Sequence, residues 1–363
     1  MQNLNRKLSR SLLRAMPKID LHRHLEGSLR LTTLLELSRE FQLDLPTSDI
    51  ELLRPHVQIT NDPPDHEVFL AKFEVLRRFY QSQETIQRLA YEAVADAAAD
   101  NVHYLELRFS PQALARARCF PLAEVTDWVI EAARQASHEH KIEVGLIITL
   151  VRHEPVEQAK EVAEIAFERY GRGIVGIDLA GNEIRFPAGP FRPIFEEAKQ
   201  LGMGITVHAG EWASADGVRE AIEELHADRI GHGVRSVENS EVVQLVSARN
   251  TVLEVCLVSN LQTGAVRLMR QHPLVDMLDL GLSATLNTDD PGVSNSTLTD
   301  EYQVAANQLG VGYAGLRQMI LNAAAGAFLK PDDRQRLVAY FEKQLPPPGH
   351  ERLTAKLTQI PSH

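Results

Sequence analysis

Eight short apolar segments rich in β-branched residues recur along the 363-residue chain, and most are followed by a stretch with helical apolar spacing. Strand and helix alternating in this way indicate parallel strands joined by crossover helices. Eight such units fit a closed (β/α)8 barrel of the TIM type better than an open sheet. The predicted strands are residues 18–25, 102–109, 143–151, 174–179, 204–207, 228–230, 251–256 and 282–286.

Composition narrows the class of protein and its partners. The chain is 44% hydrophobic and 24% charged, which is typical of a globular protein, and no apolar run approaches the roughly 18 residues of a membrane span. A net charge of -11 argues against nucleic acid or an anionic membrane as the main partner. The two cysteines, Cys119 and Cys256, cannot form a disulfide framework and indicate a reducing compartment. We therefore expect a cytoplasmic protein.

The basic N-terminus allows two interpretations. Residues 1–19 contain five basic residues and no acidic one, as a targeting peptide would. Leu4, Leu8 and Leu12 also form one stripe of a short amphipathic helix that Pro17 ends. We favour the helix, because no apolar signal core follows and the first strand begins at once.

A long gap separates the first two predicted strands and contains helical insertions at about residues 28–100. The predicted helix at 65–80 carries Phe69, Leu70 and Phe73. Because the insertion follows the C-terminal end of the first strand, we expect it to lie over the barrel mouth as a lid, although ordinary packing would give the same apolar stripe. We assign residues 1–345 to one barrel domain and 346–363, which begin with a proline run, to a short tail.

Polar residues gather where the predicted strands end. Helix caps and satisfied strand ends explain any one of them, but not ionisable groups at most strand ends together. In such barrels the active site lies at the C-terminal ends of the strands. These residues are His22, His24, Arg108, Ser110, Asp178, His208, Glu211, His232, Glu254, Ser259, Asp289 and Asp290.

His22 and His24 are two residues apart on a strand, so their side chains point to the same side. Paired neutral imidazoles suit zinc or a similar metal, although histidines also occupy strands for packing. His208, after the fifth strand, could reach the same mouth, and Asp289 after the eighth strand offers a carboxylate. The Asp-Asp-Pro run could instead be a helix N-cap, but donors on three separate strand ends favour a metal site.

Five segments, in order along most of the chain, resemble the adenosine deaminase family. The resemblance extends from about residue 17 to 330, and five motifs in register are highly specific. It implies a metal-dependent barrel of the amidohydrolase type, independently of the strand count. The segments are 19–27 (IDLHRHLEG), 178–183 (DLAGNE), 207–211 (VHAGE), 229–233 (RIGHG) and 287–292 (NTDDPG).

The resemblance implies one zinc ion per subunit and no organic cofactor. Carried over by position, the zinc ligands are His22, His24, His208 and Asp289, with water completing the coordination. Zinc would activate that water for attack on carbon 6 of a purine. Glu254 and Ser259 are further implied to fix the surroundings of the metal.

The family's catalytic roles carry over to three residues of this sequence. Glu211 protonates purine N1, which makes C6 electrophilic, so it must hold a proton when substrate binds. His232 orients the water and stabilises the developing negative oxygen, or accepts the proton of the water; both roles stay open. Asp290 hydrogen-bonds N7.

Substrate contacts also follow from the resemblance. The Gly181 N–H reaches N3, and Phe69, Leu70 and Phe73 form the apolar wall of the lid. Glu26 lies near the 5′ end of the ribose.

The substrate expected from these motifs is a small-molecule purine nucleoside. We expect hydrolytic deamination of adenosine and 2′-deoxyadenosine to inosine and deoxyinosine, with release of ammonia, as in purine salvage. One departure is Glu26, where adenosine deaminases usually carry Asp and deaminases of adenine or 6-aminodeoxyfutalosine often carry Glu. The segments 259–266 (SNLQTGAV) and 289–292 resemble the adenosine branch.

Three alternatives remain on the sequence alone. The first is deamination of a related aminopurine, such as adenine or 6-aminodeoxyfutalosine. The second is a non-catalytic binding or signalling barrel, against which the complete set of ligands and acids argues. The third is another amidohydrolase reaction such as cyclic-amide hydrolysis; those enzymes often use a bridging lysine, and no lysine stands at the corresponding strand ends.

A glycine-rich pattern near the C-terminus does not indicate a dinucleotide-binding site. Residues 310–315 match G-x-G-x-x-G, but they follow a helical stretch rather than a strand, so they lack the context of a dinucleotide site.

Overall fold

Eight parallel strands form one sheet in sequential order in the computed structural model, which describes residues 8–46 and 49–348. The predicted TIM barrel is confirmed. Two strands, β2 and β3, have the predicted ends, and the other six differ by one or two residues at one or both ends; for example, β5 continues through His208 to Ala209, and β8 begins at Ala284 rather than Leu282. The strands are β1 (Lys18–His24), β2 (Val102–Phe109), β3 (Glu143–Val151), β4 (Ile174–Ala180), β5 (Gly204–Ala209), β6 (Arg229–His232), β7 (Val252–Val255) and β8 (Ala284–Leu286).

The first and last strands meet at their C-terminal ends. The His24 N–H donates to the Asp289 carbonyl and the Asp289 N–H donates to the His22 carbonyl, both at 2.8 Å. Deeper in the barrel, the Leu21 N–H donates to Asn287 Oδ1 at 2.9 Å. The strand β8 has only three residues, and these hydrogen bonds join its C-terminal end to β1. They close the barrel and bring Asp289 beside the histidines of β1.

Helices surround the barrel and fill the long connection after β1. Short 3-10 turns add to them at Arg77–Phe79, Gly189–Phe191, Val234–Glu238 and Met269–Gln271. The helices are α1 (Arg10–Ala15), α2 (Leu31–Glu40), α3 (Ile50–Val57), α4 (His66–Leu76), α5 (Gln83–Ala99), α6 (Pro111–Ala115), α7 (Leu122–His140), α8 (Val156–Arg169), α9 (Arg192–Gln200), α10 (Ala215–Glu223), α11 (Ser240–Arg249), α12 (Leu257–Gln262), α13 (Leu274–Asp279), α14 (Pro291–Ser294), α15 (Leu298–Gln308), α16 (Tyr313–Gly326) and α17 (Pro331–Gln344).

The predicted N-terminal helix is present in part as α1. Leu8 and Leu12 pack partly buried against the core, while Leu4 lies outside the described residues. Within the described segments, every helix is too short or too polar to cross a membrane.

The helix α4 contributes Phe69, Leu70 and Phe73 to a cavity that residues at the C-terminal ends of the strands also line. The Asp65 carboxylate caps the helix by accepting from the N–H groups of Glu67 and Val68, and the Asp65 N–H donates to the Gln262 carbonyl at 3.0 Å. These bonds tie the start of α4 to the connection that follows β7. The next helix, α5, packs against β2 and α7 in the outer ring of helices. Of the predicted tail, residues 349–363 lie outside the described part of the chain.

Candidate active site

Three histidines and one aspartate converge at the C-terminal end of the barrel. His22 and His24 end β1, His208 lies near the end of β5, and Asp289 follows β8. The Nε2 atoms of His24 and His208 are 3.2 Å apart. Asp289 Oδ1 lies 3.1 Å from His22 Nε2 and 3.4 Å from His24 Nε2. The four predicted ligands are therefore brought to one point.

Two carboxylates orient His22 and His208 by hydrogen bonds to Nδ1, the ring nitrogen that faces away from the centre. Glu254 Oε2 lies 2.7 Å from His22 Nδ1, and Asp178 Oδ1 lies 3.0 Å from His208 Nδ1. Each carboxylate accepts a hydrogen bond from Nδ1, which leaves the Nε2 lone pair of the ring facing the centre. Histidines that bind metals are held in this way.

The donor set fits a divalent transition-metal ion. Buried His22 Nε2 makes no hydrogen bond of normal geometry among the described residues, and its neighbour at 3.1 Å is Oδ1 of Asp289, another predicted ligand. The separation of His24 and His208 is close to the roughly 3.3 Å between two nitrogens bound to a tetrahedral zinc ion at 2.0–2.1 Å. Imidazole and carboxylate together suit zinc better than magnesium or calcium.

His232 also lies close to this centre. One ring nitrogen of His232 and one potential ligand atom from each of His22, His208 and Asp289 all lie within 4.8 Å of one another. His232 Nε2 is, however, 4.0 Å from the nearest Asp289 oxygen, against 3.4 Å for His24. The 3.4 Å from His24 to Asp289 and the 3.2 Å from His24 to His208 agree with the predicted ligand set, in which His232 is not a ligand.

The backbone is strained at two of these positions. Asp289 and His232 have φ values of 61° and 64°, in the left-handed region that residues other than glycine seldom adopt. Such strain persists only where the surrounding structure holds it, and it is concentrated at functional sites.

A layer of buried charges supports the site from below. Arg108 contacts Asp178 and Glu254, and Arg229 contacts Glu254 and Glu106. Burial opposes ionisation of Glu254, but the two guanidinium groups outweigh it and hold the pKa of Glu254 well below its usual range. Glu254 is therefore an anion that fixes the Nδ1–H form of His22.

Glu211 stands beside the centre with its carboxyl group buried. Burial raises the pKa of Glu211 well above its ordinary value, and the negative charges of Asp289 and Glu183 add to the effect. Its Oε2 lies 3.5 Å from His232 Nε2. The direction of this shift agrees with the protonated Glu211 that the sequence analysis requires.

The side chain of Asp290 lies against Gly27, and the absence of a side chain on Gly27 leaves space for the Asp290 carboxyl group. A Cβ on Gly27 would lie 1.8 Å from Asp290 Oδ1, so only glycine fits there. Oδ1 is buried without a hydrogen-bond partner among the described residues. Burial raises the pKa of Asp290 well above its ordinary value, as do the charges of Asp289, Glu26 and Glu211. A protonated Asp290 can donate to an acceptor such as purine N7.

A cavity of about 470 Å³ opens above the centre. Glu26 Oε1 accepts from the Ser110 N–H at 2.7 Å, whereas Oε2 is buried without a partner among the described residues. Burial raises the pKa of Glu26 to about 7. Every predicted metal ligand, catalytic residue and substrate contact except the fully buried His22 lines this cavity: His24, Glu26, Phe69, Leu70, Phe73, Gly181, His208, Glu211, His232, Asp289 and Asp290.

The loop that carries Glu211 is held by Glu183, to which the sequence analysis assigned no role. The Glu183 carboxylate accepts from four successive backbone N–H groups, at 2.5–2.9 Å, and the bond from Glu211 itself measures 2.8 Å. The four donors are Gly210, Glu211, Trp212 and Ala213. Glu183 belongs to a quoted motif, but nothing in the sequence indicates this loop as its partner.

Replacing Glu183 with Gln should loosen this loop. One amide oxygen cannot serve four donors, and the amide NH2 would face N–H groups. We expect the free energy of unfolding to fall by about 2–3 kcal/mol. We expect kcat to fall by about 10²-fold, as a misplacement of about 1 Å typically costs. Urea unfolding and steady-state kinetics measure both, with the exposed Glu161→Gln on α8 as control; unchanged kcat would contradict the role.

The sequence predicted that Glu254 and Ser259 fix the surroundings of the metal, and only Glu254 makes such a contact. Glu254 contacts His22 as expected. The buried Ser259 hydroxyl, in contrast, has no hydrogen-bond partner among the described residues. Asp178, identified only as a polar strand end, is the partner of His208.

Comparison with known proteins gives a consistent result. Residues 17–344 match the family model described as adenosine deaminase. An adenosine deaminase of Klebsiella pneumoniae (strain 342) is 40% identical over 329 residues, which are 91% of this chain and 98% of that protein. One of Serratia proteamaculans (strain 568) is 41% identical over 323 residues, 89% of this chain and 97% of that protein. The crystal structure of an adenine deaminase from Arthrobacter aurescens has a TM-score of 0.82 at 27% identity, covering 90% of this chain and 98% of that one.

Proposed function

The chain belongs to the adenosine deaminase family, and we propose that it hydrolyses adenosine and 2′-deoxyadenosine to inosine and deoxyinosine with release of ammonia. The resemblance carried by the five motifs is thereby confirmed, as is the prediction of an enzyme that acts on aminopurines. The observation that carries the proposal is the convergence of four potential metal ligands and two buried carboxyl groups, whose pKa values are raised by burial, at the cavity on the C-terminal end of the barrel.

We assign the metal centre to one zinc ion per subunit, held by His22, His24, His208 and Asp289. A zinc ion held by these residues would lower the pKa of a bound water molecule towards 7 and so supply a nucleophile at neutral pH. The support is the donor set, the His22 Nε2 that makes no hydrogen bond of normal geometry, and the carboxylates that orient two of the histidines.

Glu211 has the role of general acid. Its carboxyl proton passes to purine N1, which reduces the aromatic character of the ring and makes C6 electrophilic. The raised pKa of Glu211 keeps this proton in place at neutral pH until a base accepts it. Glu183 holds the acid at the required position through the N–H groups of its loop.

Asp290 and Gly181 bind the purine. A protonated Asp290 donates to N7, and the Gly181 N–H donates to N3. Gly181 has a φ of 102°, which glycine adopts without strain, and its lack of a side chain lets the flat ring approach the backbone. These two contacts place C6 over the metal centre.

The helix α4 serves as a lid. Phe69, Leu70 and Phe73 line the cavity from this helix, and they would cover a bound purine with apolar surface. Excluding bulk water raises the pKa of Glu211 further and strengthens each hydrogen bond to the substrate.

Labelled water tests the hydrolytic reaction. With adenosine in H2(18)O, we expect one labelled oxygen at C6 of each inosine and one ammonia per turnover, because the attacking oxygen comes from water. Mass spectrometry of the product and an ammonia assay measure these quantities. Unlabelled inosine, or inosine without equimolar ammonia, would contradict the proposal.

Glu26 favours a second candidate within the same reaction class, a deaminase of adenine or of 6-aminodeoxyfutalosine. Glu26 lines the cavity, its Oε2 has no hydrogen-bond partner among the described residues, and one extra methylene relative to Asp changes the reach of the carboxylate by about a bond length. The metal centre and the acids would act unchanged on either substrate.

A further inference from the structure

A chain of buried polar contacts leads from a backbone amide to His232. The Leu274 N–H donates to His272 Nδ1 at 3.1 Å. His272 Nε2 lies 3.2 Å from Asn260 Oδ1, and Asn260 Nδ2 lies 3.1 Å from His232 Nδ1. Each of the three side chains is at least 96% buried, so water does not compete for these bonds.

The hydrogen positions in this chain follow from its first member. A backbone N–H can only donate, so His272 Nδ1 accepts and the ring proton of neutral His272 is on Nε2. That proton requires an acceptor, which places Asn260 Oδ1 toward His272 and the amide NH2 toward His232. His232 Nδ1 must then accept, and the proton of the neutral ring lies on Nε2.

Two independent observations agree with this assignment. The groups that face His232 Nε2 are carboxyl oxygens: Asp289 Oδ2 at 4.0 Å accepts as an anion, and Glu211 Oε2 at 3.5 Å accepts once its proton has passed to N1. Burial also lowers the pKa of His272 to about 3, so that this ring is neutral at physiological pH, as the chain requires.

We propose that Asn260 and His272 are positioning residues that hold His232 as its Nε2–H tautomer, so that His232 donates a hydrogen bond to the oxygen adding at C6 and does not accept the proton of the water. The catalytic meaning of this proposal rests on the proposed deaminase function. The tautomer itself rests only on the hydrogen-bond chain.

The proton balance closes without His232 as a base. Glu211 gives its proton to N1, where it remains in inosine. The carboxylate thus formed takes one proton from the attacking water as the C6–O bond forms, and Glu211 is restored. The second water proton passes to the amino group as the C6–N bond breaks, and ammonia leaves.

Nitrogen NMR of the zinc-loaded protein with 15N-labelled histidine tests the tautomer directly, whatever the activity. We expect Nε2 of His232 to carry the proton and Nδ1 to have the shift of an unprotonated nitrogen. The signals are assigned by their loss in His232→Gln. A proton on Nδ1 of the wild-type protein would overturn the proposal, whereas absent turnover with the expected tautomer would count against the deaminase function alone.

Variants connect the tautomer with the rate. In Asn260→Asp, a carboxylate accepts from both histidines and draws the His232 proton to Nδ1. We expect kcat to fall about 10²- to 10³-fold, the usual cost of one transition-state donor, with KM within about threefold and zinc content unchanged. His272→Leu should show a similar loss, and His272→Gln should recover most of it, because the Gln amide donates where His Nε2–H does. Wild-type kcat in Asn260→Asp with the proton on Nδ1, or equal losses in both His272 variants, would contradict the proposal.

Discussion

Replacing Glu211 with Gln is expected to lower kcat by about 10³-fold or more while the protein keeps its metal. A general acid contributes about 10²- to 10⁴-fold, and Gln, although nearly the same size, has no proton to give to N1. Because Glu211 is not one of the proposed ligands, zinc content should stay at one per chain. Steady-state kinetics and metal analysis on the same preparation separate the two effects.

The exposed Glu161→Gln is the matched control for this substitution, since it makes the same chemical change far from the cavity. We expect it to retain wild-type kcat. If Glu211→Gln also retained it, Glu211 could not be the general acid.

Removing the metal is expected to reduce turnover by about 10³- to 10⁴-fold, because polarising the attacking water contributes several kcal/mol. Added Zn²⁺ should restore the rate. Mg²⁺ should not, because three imidazoles suit it poorly. Dialysis against a chelator, followed by titration with each ion, measures this result, and thermal unfolding of the metal-free protein checks that the fold is retained.

Two alanine variants localise the effect. His208→Ala should lose both zinc and turnover, since its ring is one of the convergent donors. His138→Ala, an exposed histidine on α7, should keep both. Full activity after complete metal removal would contradict the proposed mechanism.

The barrel could be predicted from the sequence because its signals are local. A strand is indicated by an apolar run of three to nine residues, and β2 and β3 begin and end at the predicted residues. Alternation along β1 also placed His22 and His24 on the same side. That Asp289 would join them followed from the general position of barrel active sites, and two hydrogen bonds between the ends of β1 and β8 provide the cause.

Apart from Glu254, which the family motifs implied, the supporting residues could not be assigned their partners from the sequence, because each acts on a partner distant in sequence. Glu183 lies 27 residues or more from the N–H groups that it accepts from, and Asp178 lies 30 residues from His208. Neither distance follows a secondary-structure period. His272 gave no signal at all, since its role depends on an amide orientation that exists only in the folded protein. The assigned roles of the site residues stay predictions until variants are measured.

The specificity constants of the zinc-loaded enzyme test the central claim most directly. We would measure kcat/KM for adenosine, 2′-deoxyadenosine, adenine and 6-aminodeoxyfutalosine by ammonia release. We expect adenosine and 2′-deoxyadenosine to have the highest values, which would make Glu26 a tolerated variation at the ribose end and the protein an enzyme of purine salvage. A lead of more than about tenfold for either of the other two substrates would contradict the claim and make Glu26 a determinant of specificity.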